Sequence, residues 1–494
     1  MTPTQALQAY CDAFVARDVA RIGALFADDA TCELPLLDRP LKGKAEIVRE
    51  VGIATRGLKD MKVELGAVIE TGNEVFAEGI FTGEMVGAGT HVDLTPVRAD
   101  FRFAMIVEMR DGKIARLAEY LDTKKVKPWE RQRLYPIARI SPYFQGTVDA
   151  NVSEFMTYNG MFFPIIYSRT PAEEYVALTE RVTMWDVGCE RQTEIRGPDA
   201  LKFADYIASR NLLTMKTGAC RYTFCCDDSG AIICDPVVLH PWDDVVWFSH
   251  GSADLTLWAQ GIALHSDFDV TVCEPDVAPI QVQGPLSADV LRGITDADID
   301  ALKFYHCVVT RVAGIDAVVS RTGWSGALGY EVFPLTTARA MELWNALREA
   351  GKPHDMLVTG PIVHRAVEKN VTDTAYHQNS GMNPFEAGGD RLVDLGGAPF
   401  MGKKALERIK KEGPKRRTVG LLIDGELPRL EWYWPVEDAR GKKGEVRWAV
   451  HSFALDHSIG IALVDAGVQI GETVRVTHPL GTVNARAVEL PFVD

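Results

Sequence analysis

The sequence predicts a multidomain α+β protein, with a helix-then-sheet domain at its N-terminus and an all-β segment at its C-terminus. A chain of 494 residues is too long for one hydrophobic core. Residues 1–125 are predicted as helices followed by long strands, and residues 151–405 as short strands with interspersed helices. Residues 126–150 carry prolines without sustained periodicity, which is typical of a linker. Residues 406–494 end in an all-β segment.

The composition is that of an ordinary globular protein with an acidic balance. Hydrophobic residues make up 47% and charged residues 24% of the chain, and the formal net charge is −15. A chain without a broad basic stripe is poorly suited to binding nucleic acid. The sequence shows neither an apolar stretch of membrane-spanning length nor an N-terminal signal pattern. We therefore expect a cytoplasmic protein without nucleic-acid or membrane partners.

The cysteines predict neither a disulfide framework nor a metal centre. The chain has nine of them, an odd number, in apolar settings and without a Cys-x-x-Cys pair. Reduced, buried thiols are the expected state. The glycine pattern of a dinucleotide fold and a phosphate loop are also missing from the sequence, so we expect no nucleotide cofactor.

The N-terminal segment carries signals that mark where its elements start and turn. Thr2 and Gln5 form a capping-box pattern around a proline, and Asp18 precedes a second apolar helix. Residues 111–112, Asp-Gly, mark a hairpin between two strands. This order of elements, closing on "DGKI…YLD", resembles the SnoaL-like, NTF2-like family of small conical domains.

That resemblance implies either a small enzyme or a dimerisation domain. His91, Asp93 and Asp100 are candidates for an acid–base set inside the cone, although surface positions at strand ends are the simpler interpretation. NTF2-like sheets commonly pair. We therefore expect this domain to support a homodimer or to cover an active site, without a reaction of its own.

A carboxylate interrupts the apolar stretch "CCDDSGAIICDPVVLHPWDDVVWFSH", residues 225–250. Residues 227–230 form the predicted turn, and residues 231–240 form the predicted returning strand. Asp235 lies inside that strand and is followed by Pro236, which removes a ladder donor. Such a carboxylate either caps a strand bulge or belongs to a functional site.

Several motifs occur in a fixed order along the rest of the chain. They are "VTMWDVGCERQTEIRGPDA" (182–200), "RYTFCCDDSGAIICDPVV" (221–238), "QVQGPLSADVL" (281–291), "SRTGWSGALGYEVF" (320–333), "NPFEAGGDRLVDL" (383–395), "PFMGKKAL" (399–406) and "VHSFALDHSIGIALVD" (450–465). Together they resemble the aminomethyltransferase (glycine cleavage T-protein) superfamily, and within it the tetrahydrofolate-dependent demethylases of the dimethylsulfoniopropionate demethylase type. The resemblance implies an NTF2-like cone followed by three intertwined domains around a central channel, with a β-barrel at the C-terminus. It also implies tetrahydrofolate as cofactor and no required metal.

The family motifs imply roles for particular residues. Asp235 matches the catalytic aspartate, which would stabilise positive charge developing at the folate N5. Glu368 matches the glutamate that would accept hydrogen bonds from the pterin. Trp324 and Tyr222 would contact the folate.

The methyl donor is not decided by the sequence. A sulfonium or quaternary ammonium donor would need aromatic side chains around the cation, for which Trp185, Tyr222 and Tyr167 are candidates. A methoxy-aromatic donor would benefit from an acid, for which His306, Tyr305 and His377 are candidates by residue type.

Three functions are compatible with these motifs. The leading hypothesis is an enzyme that moves a methyl group from a small molecule to tetrahydrofolate. A glycine-cleavage aminomethyltransferase is disfavoured, because that protein usually has a paired "DDL" where this chain has Cys234-Asp235-Pro236. A folate-binding scaffold without turnover is the third hypothesis.

Overall fold

The computed structural model describes the chain except residues 36–38, 57, 86–96, 122–137, 252, 372–380, 429, 431–432 and 494. The chain forms two compact units. One comprises residues 1–139 and 147–155, and the other comprises residues 140–146 and 156–494. Within the described part of the chain, no helix is long and apolar enough to cross a membrane.

The first unit is a curved sheet with helices packed on one face. Its helices are α1 (Pro3–Val15), α2 (Val19–Leu25) and α3 (Lys44–Arg56). Its strands are β1 (Phe26–Glu33), β2 (Leu41–Lys42), β3 (Leu58–Thr71), β4 (Glu74–Met85), β5 (Val97–Arg110) and β6 (Lys113–Leu121). The sheet order is β2-β1-β6-β5-β4-β3, with β1 and β6 parallel and the other neighbours antiparallel.

The start and turn signals of this unit are confirmed. The Thr2 side chain accepts a hydrogen bond from the Gln5 backbone, and the Gln5 side chain accepts one from the Thr2 backbone. Asp18 caps α2 through the Arg21 backbone amide. Residues 111–112 both have positive φ, as the tight turn between β5 and β6 requires. His91 and Asp93 lie outside the described residues, and Asp100 is exposed on β5.

The second unit contains a five-stranded antiparallel sheet and a six-stranded mixed sheet. Helix α4 (Phe144–Asp149) and the strand at Val152–Tyr158 each contain residues of both units. The helices that follow are α5 (Pro171–Glu180), α6 (Ala200–Ile207), α7 (Leu255–Leu264), α8 (Ser287–Arg292), α9 (Ala340–Gly351) and α10 (Val363–Glu368). The strands are β7 (Val152–Tyr158), β8 (Met161–Tyr167), β9 (Thr183–Asp186), β10 (Arg191–Arg196), β11 (Cys220–Tyr222), β12 (Cys225–Cys226), β13 (Ile232–Cys234), β14 (Val237–Trp242), β15 (Val245–His250), β16 (Thr271–Cys273), β17 (Ile280–Gln283), β18 (Cys307–Val312), β19 (Ile315–Ser320), β20 (Gly329–Pro334) and β21 (Leu357–Val358). One sheet has the order β11-β14-β15-β10-β16 and the other β18-β19-β20-β17-β9-β21. Helix α4 lies in the stretch that the sequence predicted as a linker.

The C-terminal part of the second unit is a closed barrel. Helix α11 (Lys403–Glu412) precedes β22 (Arg416–Ile423), β23 (Trp434–Glu437), β24 (Lys443–Ser452), β25 (His457–Asp465), β26 (Thr473–His478) and β27 (Gly481–Val488). The strands close in the order β22-β25-β24-β23-β26-β27, so the predicted barrel is confirmed. Alternate residues of β26 are buried, as expected of a barrel strand with one face toward the core.

The strand predicted at 231–240 is wrong as one continuous element. The chain forms β13 and β14 instead, with Asp235 and Pro236 between them. Strand β13 pairs only with β12 in a two-stranded ribbon, whereas β14 joins the five-stranded sheet through β11 and β15. Because Pro236 has no backbone donor, the chain changes sheets at this point. The Pro236 carbonyl is still satisfied, by the Thr223 amide at 3.1 Å.

Candidate active site

A cavity of about 2130 Å³ lies inside the second unit. The five-stranded antiparallel sheet, the six-stranded mixed sheet and the barrel all contribute to its walls. A pocket for one drug-sized ligand is typically about 300–1000 Å³. This cavity therefore has room for two small molecules at once.

Asp235 lines this cavity from the break between β13 and β14. The Tyr222 hydroxyl donates a hydrogen bond to Asp235 Oδ2 at 2.9 Å, and Tyr222 also lines the cavity. Burial, followed by the Asp235 charge, raises the pKa of Tyr222 well above its usual range. The phenol is therefore a fixed neutral donor that orients the carboxylate.

A row of polar side chains crosses three neighbouring strands at the cavity wall. Gln281 on β17 stands opposite both Trp185 on β9 and Glu331 on β20. All three line the cavity and are at most 4% exposed. The Gln281 side-chain amide donates to Glu331 Oε1 at 2.9 Å, and the Thr322 hydroxyl donates to Glu331 Oε2. The row therefore holds a carboxylate in fixed geometry at the cavity wall.

Two buried polar atoms of this row have no hydrogen-bond partner among the described residues. They are the Trp185 indole Nε1 and the Gln281 amide Oε1. The first is a donor and the second an acceptor, and they belong to directly paired residues. Because buried polar groups are nearly always satisfied, this pair indicates a ligand edge that carries an acceptor next to a donor.

Burial changes the pKa of the carboxyl group in this row. It raises the pKa of Glu331, and hydrogen bonds from Thr322, Gln281 and Glu190 only partly oppose that effect. Glu190 also lines the cavity, and Gln281 Nε2 lies 3.4 Å from its Oε1. One side-chain amide therefore lies between two carboxyl groups at the cavity wall.

Aromatic side chains line other parts of the cavity. Trp324 is half-buried there and contacts Trp448 of the barrel edge-on, with ring centroids 5.6 Å apart. Tyr305 also lines the cavity. These rings give the cavity flat, apolar surfaces that suit an aromatic or cationic ligand.

Glu368 lies at the end of α10 and is fully buried. Its Oε2 accepts from the Tyr175 hydroxyl at 2.6 Å and from Arg365 at 3.2 Å. Its Oε1 accepts from the Ser452 hydroxyl at 2.6 Å and from the Ala454 amide at 3.1 Å. These bonds join α10 to α5 and to the barrel. Glu368 is not among the described residues that line the cavity.

Neither Tyr167 nor His306 is among the described residues that line the cavity. Tyr167 is 1% exposed on β8, and burial raises its pKa well above its usual range. His306 is exposed, beside the Phe304 carbonyl. The preceding residue, Tyr305, has a φ of 56°, which turns the backbone sharply between the two residues. Tyr305 therefore lines the cavity, whereas His306 faces solvent. His377 lies outside the described residues.

Trp185, a predicted donor-binding residue, lies in the polar row at the cavity wall. Gln281, Glu331 and Glu190 were not predicted as site residues, although each lies in one of the sequence motifs. The available signal was the one that drew attention to Asp235, namely a polar residue in an otherwise apolar strand. "GYEVF" and "IQVQ" carry that signal.

Three models of known protein families match parts of this chain. The model of the GCVT N-terminal domain matches residues 144–396, and that of the glycine cleavage T-protein C-terminal barrel domain matches residues 416–494. The model of the SnoaL-like domain matches residues 7–117. The fold and cavity thus define a one-carbon transferase architecture with an added N-terminal domain. The chain belongs to the glycine cleavage T-protein family.

Similar proteins fall into two groups within that family. The dimethylsulfoniopropionate demethylase of Ruegeria pomeroyi is 31% identical over 67% of this chain and 91% of its own length. The aminomethyltransferase of Halothermothrix orenii is 28% identical over 69% of this chain and 96% of its own length. The solved structure of aminomethyltransferase T from Bartonella henselae, 19% identical, has a TM-score of 0.65 and covers 72% of this chain and 98% of that one. Family members are tetrahydrofolate-dependent one-carbon transferases, and tetrahydrofolate is therefore the cofactor.

Proposed function

We propose that the protein is a tetrahydrofolate-dependent demethylase, which moves a methyl group from a small O-, S- or N-methyl compound to tetrahydrofolate. One observation carries this proposal. The Asp235 carboxylate is oriented by Tyr222 at the wall of a cavity with room for two ligands. A relative at 31% identity that is named a demethylase adds support.

The polar row fits the pterin ring. The aminopyrimidinone edge of a pterin carries two adjacent N–H donors, the 2-amino group and N3, flanked by the acceptors N1 and O4. Glu331 can accept from such donors, Gln281 Oε1 offers a further acceptor, and Trp185 Nε1 offers a donor. Trp324 supplies a ring that can stack against the aromatic part of the folate.

Tetrahydrofolate supplies the nitrogen N5, which accepts the methyl group. Asp235 then has two tasks. An ionised carboxylate stabilises positive charge on the nitrogen as the methyl carbon changes partners, and it can take up the proton that the secondary amine loses. Tyr222 keeps Oδ2 in place for both tasks.

The aminomethyltransferase function is the second candidate, because relatives with that name match at 27–28% identity over a similar length. Incubation with tetrahydrofolate and a panel of methoxy-aromatic, sulfonium and methylated-amine donors distinguishes the two. The expected result is 5-methyltetrahydrofolate, detected by mass spectrometry, with one donor class. Formation of 5,10-methylenetetrahydrofolate from an aminomethylated carrier, and no methyl product with any donor, would establish the second candidate.

A further inference from the structure

The loop at residues 321–328 carries Trp324 to the cavity wall and contains neither helix nor strand. It connects β19 to β20. Because such a loop lacks the hydrogen bonds of a sheet ladder, its buried polar groups need other partners. Gln283, the last residue of β17, is fully buried and pairs through its backbone with Gly329, which directly follows the loop. The Gln283 side chain is therefore close to the base of the loop.

Three hydrogen bonds join the Gln283 side chain to the loop and its far end. The amide Nε2 donates to the Thr322 carbonyl at 3.3 Å and to the Tyr330 carbonyl at 3.2 Å. The amide Oε1 accepts from the Ser325 hydroxyl at 2.6 Å. The same hydroxyl oxygen accepts from the Ala327 amide at 3.1 Å. One buried side chain therefore holds the residues on both sides of Trp324.

Packing and chemistry both suit a glutamine at this position. A Cβ added at Gly323 or at Gly329 would lie 2.3 Å from Gln283 Oε1, so both glycines pack directly against the amide. The amide offers a donor to two carbonyls and an acceptor to a hydroxyl. A carboxylate in its place would face the two carbonyl oxygens without a proton to donate, and an apolar side chain would leave all three partners unsatisfied.

We propose that Gln283 is a positioning residue for the folate site, whose side chain fixes the loop so that the Trp324 ring meets the aromatic part of the folate. This inference rests on the proposed function, in which Trp324 makes that contact. Gln283 is not among the described residues that line the cavity, so its effect on a ligand is indirect. Thr322 has a second anchor, because its hydroxyl donates to Glu331. Loss of the Gln283 amide therefore releases Ser325 and the adjacent Trp324 more than it disturbs the polar row.

The test is a double-variant cycle on the Kd for tetrahydrofolate, measured by calorimetry. Trp324→Ala should raise the Kd about tenfold, as for loss of one aromatic contact. Gln283→Met preserves the length of the side chain but removes the three hydrogen bonds, and it should raise the Kd by a similar factor. Because Gln283 acts through Trp324, the double variant should bind no more weakly than Trp324→Ala alone. In Gln283→Met, kcat at saturating folate should change less than about twofold.

Two further variants control for loss of stability. Gln260→Met removes a side-chain hydrogen bond of the same kind, from Gln260 Nε2 to the Val272 carbonyl at 2.9 Å, at a position outside the described cavity lining. It should bind tetrahydrofolate as the natural protein does. Ser325→Ala removes only the hydrogen bond to Gln283 Oε1 and should weaken binding less than Gln283→Met. If Gln283→Met does not fold, Ser325→Ala takes its place in the cycle with Trp324→Ala.

The outcomes separate this inference from the function on which it rests. An unchanged Kd in Gln283→Met and Ser325→Ala would overturn the role of Gln283, and so would a further loss of affinity in the double variant. Both results would leave the folate site intact. An unchanged Kd in Trp324→Ala would instead refute the ring contact of the proposed function, and this inference with it.

Discussion

Replacement of Asp235 by asparagine tests the proposed chemistry most directly. Asparagine preserves the volume of the side chain and one acceptor oxygen for the Tyr222 hydroxyl, which lies 2.9 Å from Oδ2. It removes the negative charge and the capacity to take up a proton. The break between β13 and β14 depends on Pro236, so the backbone should not change.

The size of the effect follows from the position of the carboxylate. Asp235 is partly buried at the wall of the cavity. Two charges about 4 Å apart interact by about 4 kcal/mol at an effective dielectric of about 20. Loss of one preorganised electrostatic group typically reduces kcat by about 10²–10³-fold. We expect a reduction of that order in kcat with little change in KM, because the charge matters most in the transition state.

Two companion variants sharpen the assay, which follows 5-methyltetrahydrofolate formation at saturating donor. Tyr222→Phe removes the hydrogen bond but retains Asp235, and a bond to a charged group contributes about 1.5 kcal/mol, so kcat should fall about tenfold. Asp228→Asn changes an exposed carboxylate in the nearby turn and should behave as the natural protein. If Asp235→Asn turned over normally but melted at a much lower temperature, Asp235 would be a structural cap and the catalytic argument would fail.

Three further predictions concern the rest of the molecule. Burial opposes ionisation of Glu368, but the hydrogen bonds that its carboxylate accepts outweigh burial and lower its pKa. Ionised Glu368 therefore stabilises the fold at pH values above its unfolded-state pKa. This stabilisation is lost as the pH falls through the folded-state pKa. Glu368→Gln should therefore lower the free energy of unfolding in urea by about 1.5–3 kcal/mol at neutral pH, while folate affinity stays unchanged. Weaker folate binding at unchanged stability would instead support the predicted role of Glu368 in the pterin site. Burial raises the pKa of Glu119 in the first unit to about 7, so its contribution to stability is present below the unfolded pKa and lost as the pH rises through about 7. Glu119→Gln should raise the Tm at about pH 8 and leave it unchanged at about pH 4, and calorimetry showing equal effects at both would contradict this. On the sheet of the first unit, Ile69, Phe76 and Tyr120 are 63%, 42% and 53% exposed, and we propose that a second copy of the chain covers this face. Phe76→Arg should convert a dimer into a monomer by light scattering, and a natural protein that is already monomeric would refute the proposal.

The sequence by itself determined the features that depend on local chemistry. The cap at Thr2 and the turn at residues 111–112 follow from side chains within a few positions, so they could be predicted without a fold. The all-β character of the C-terminal segment followed from strand periodicity, and the family motifs implied that it is a barrel. Asp235 was found because a carboxylate is unexpected in an apolar stretch. For such features the interacting groups are close together in the chain.

The tertiary structure decided what depends on register between distant strands. The polar row comes from strands about 50–100 residues apart in the chain, as expected where sheets pair distant segments. Only the pairing of Trp185, Gln281 and Glu331 shows that a hydrogen-bond donor without a partner lies beside an acceptor without a partner. The same holds for Glu368, whose partners come from α5 and the barrel. A helix sequence shows the carboxylate but not which residues surround it. Burial and register, which set what each polar group can contact, arise only when the sheets and the barrel close around the cavity.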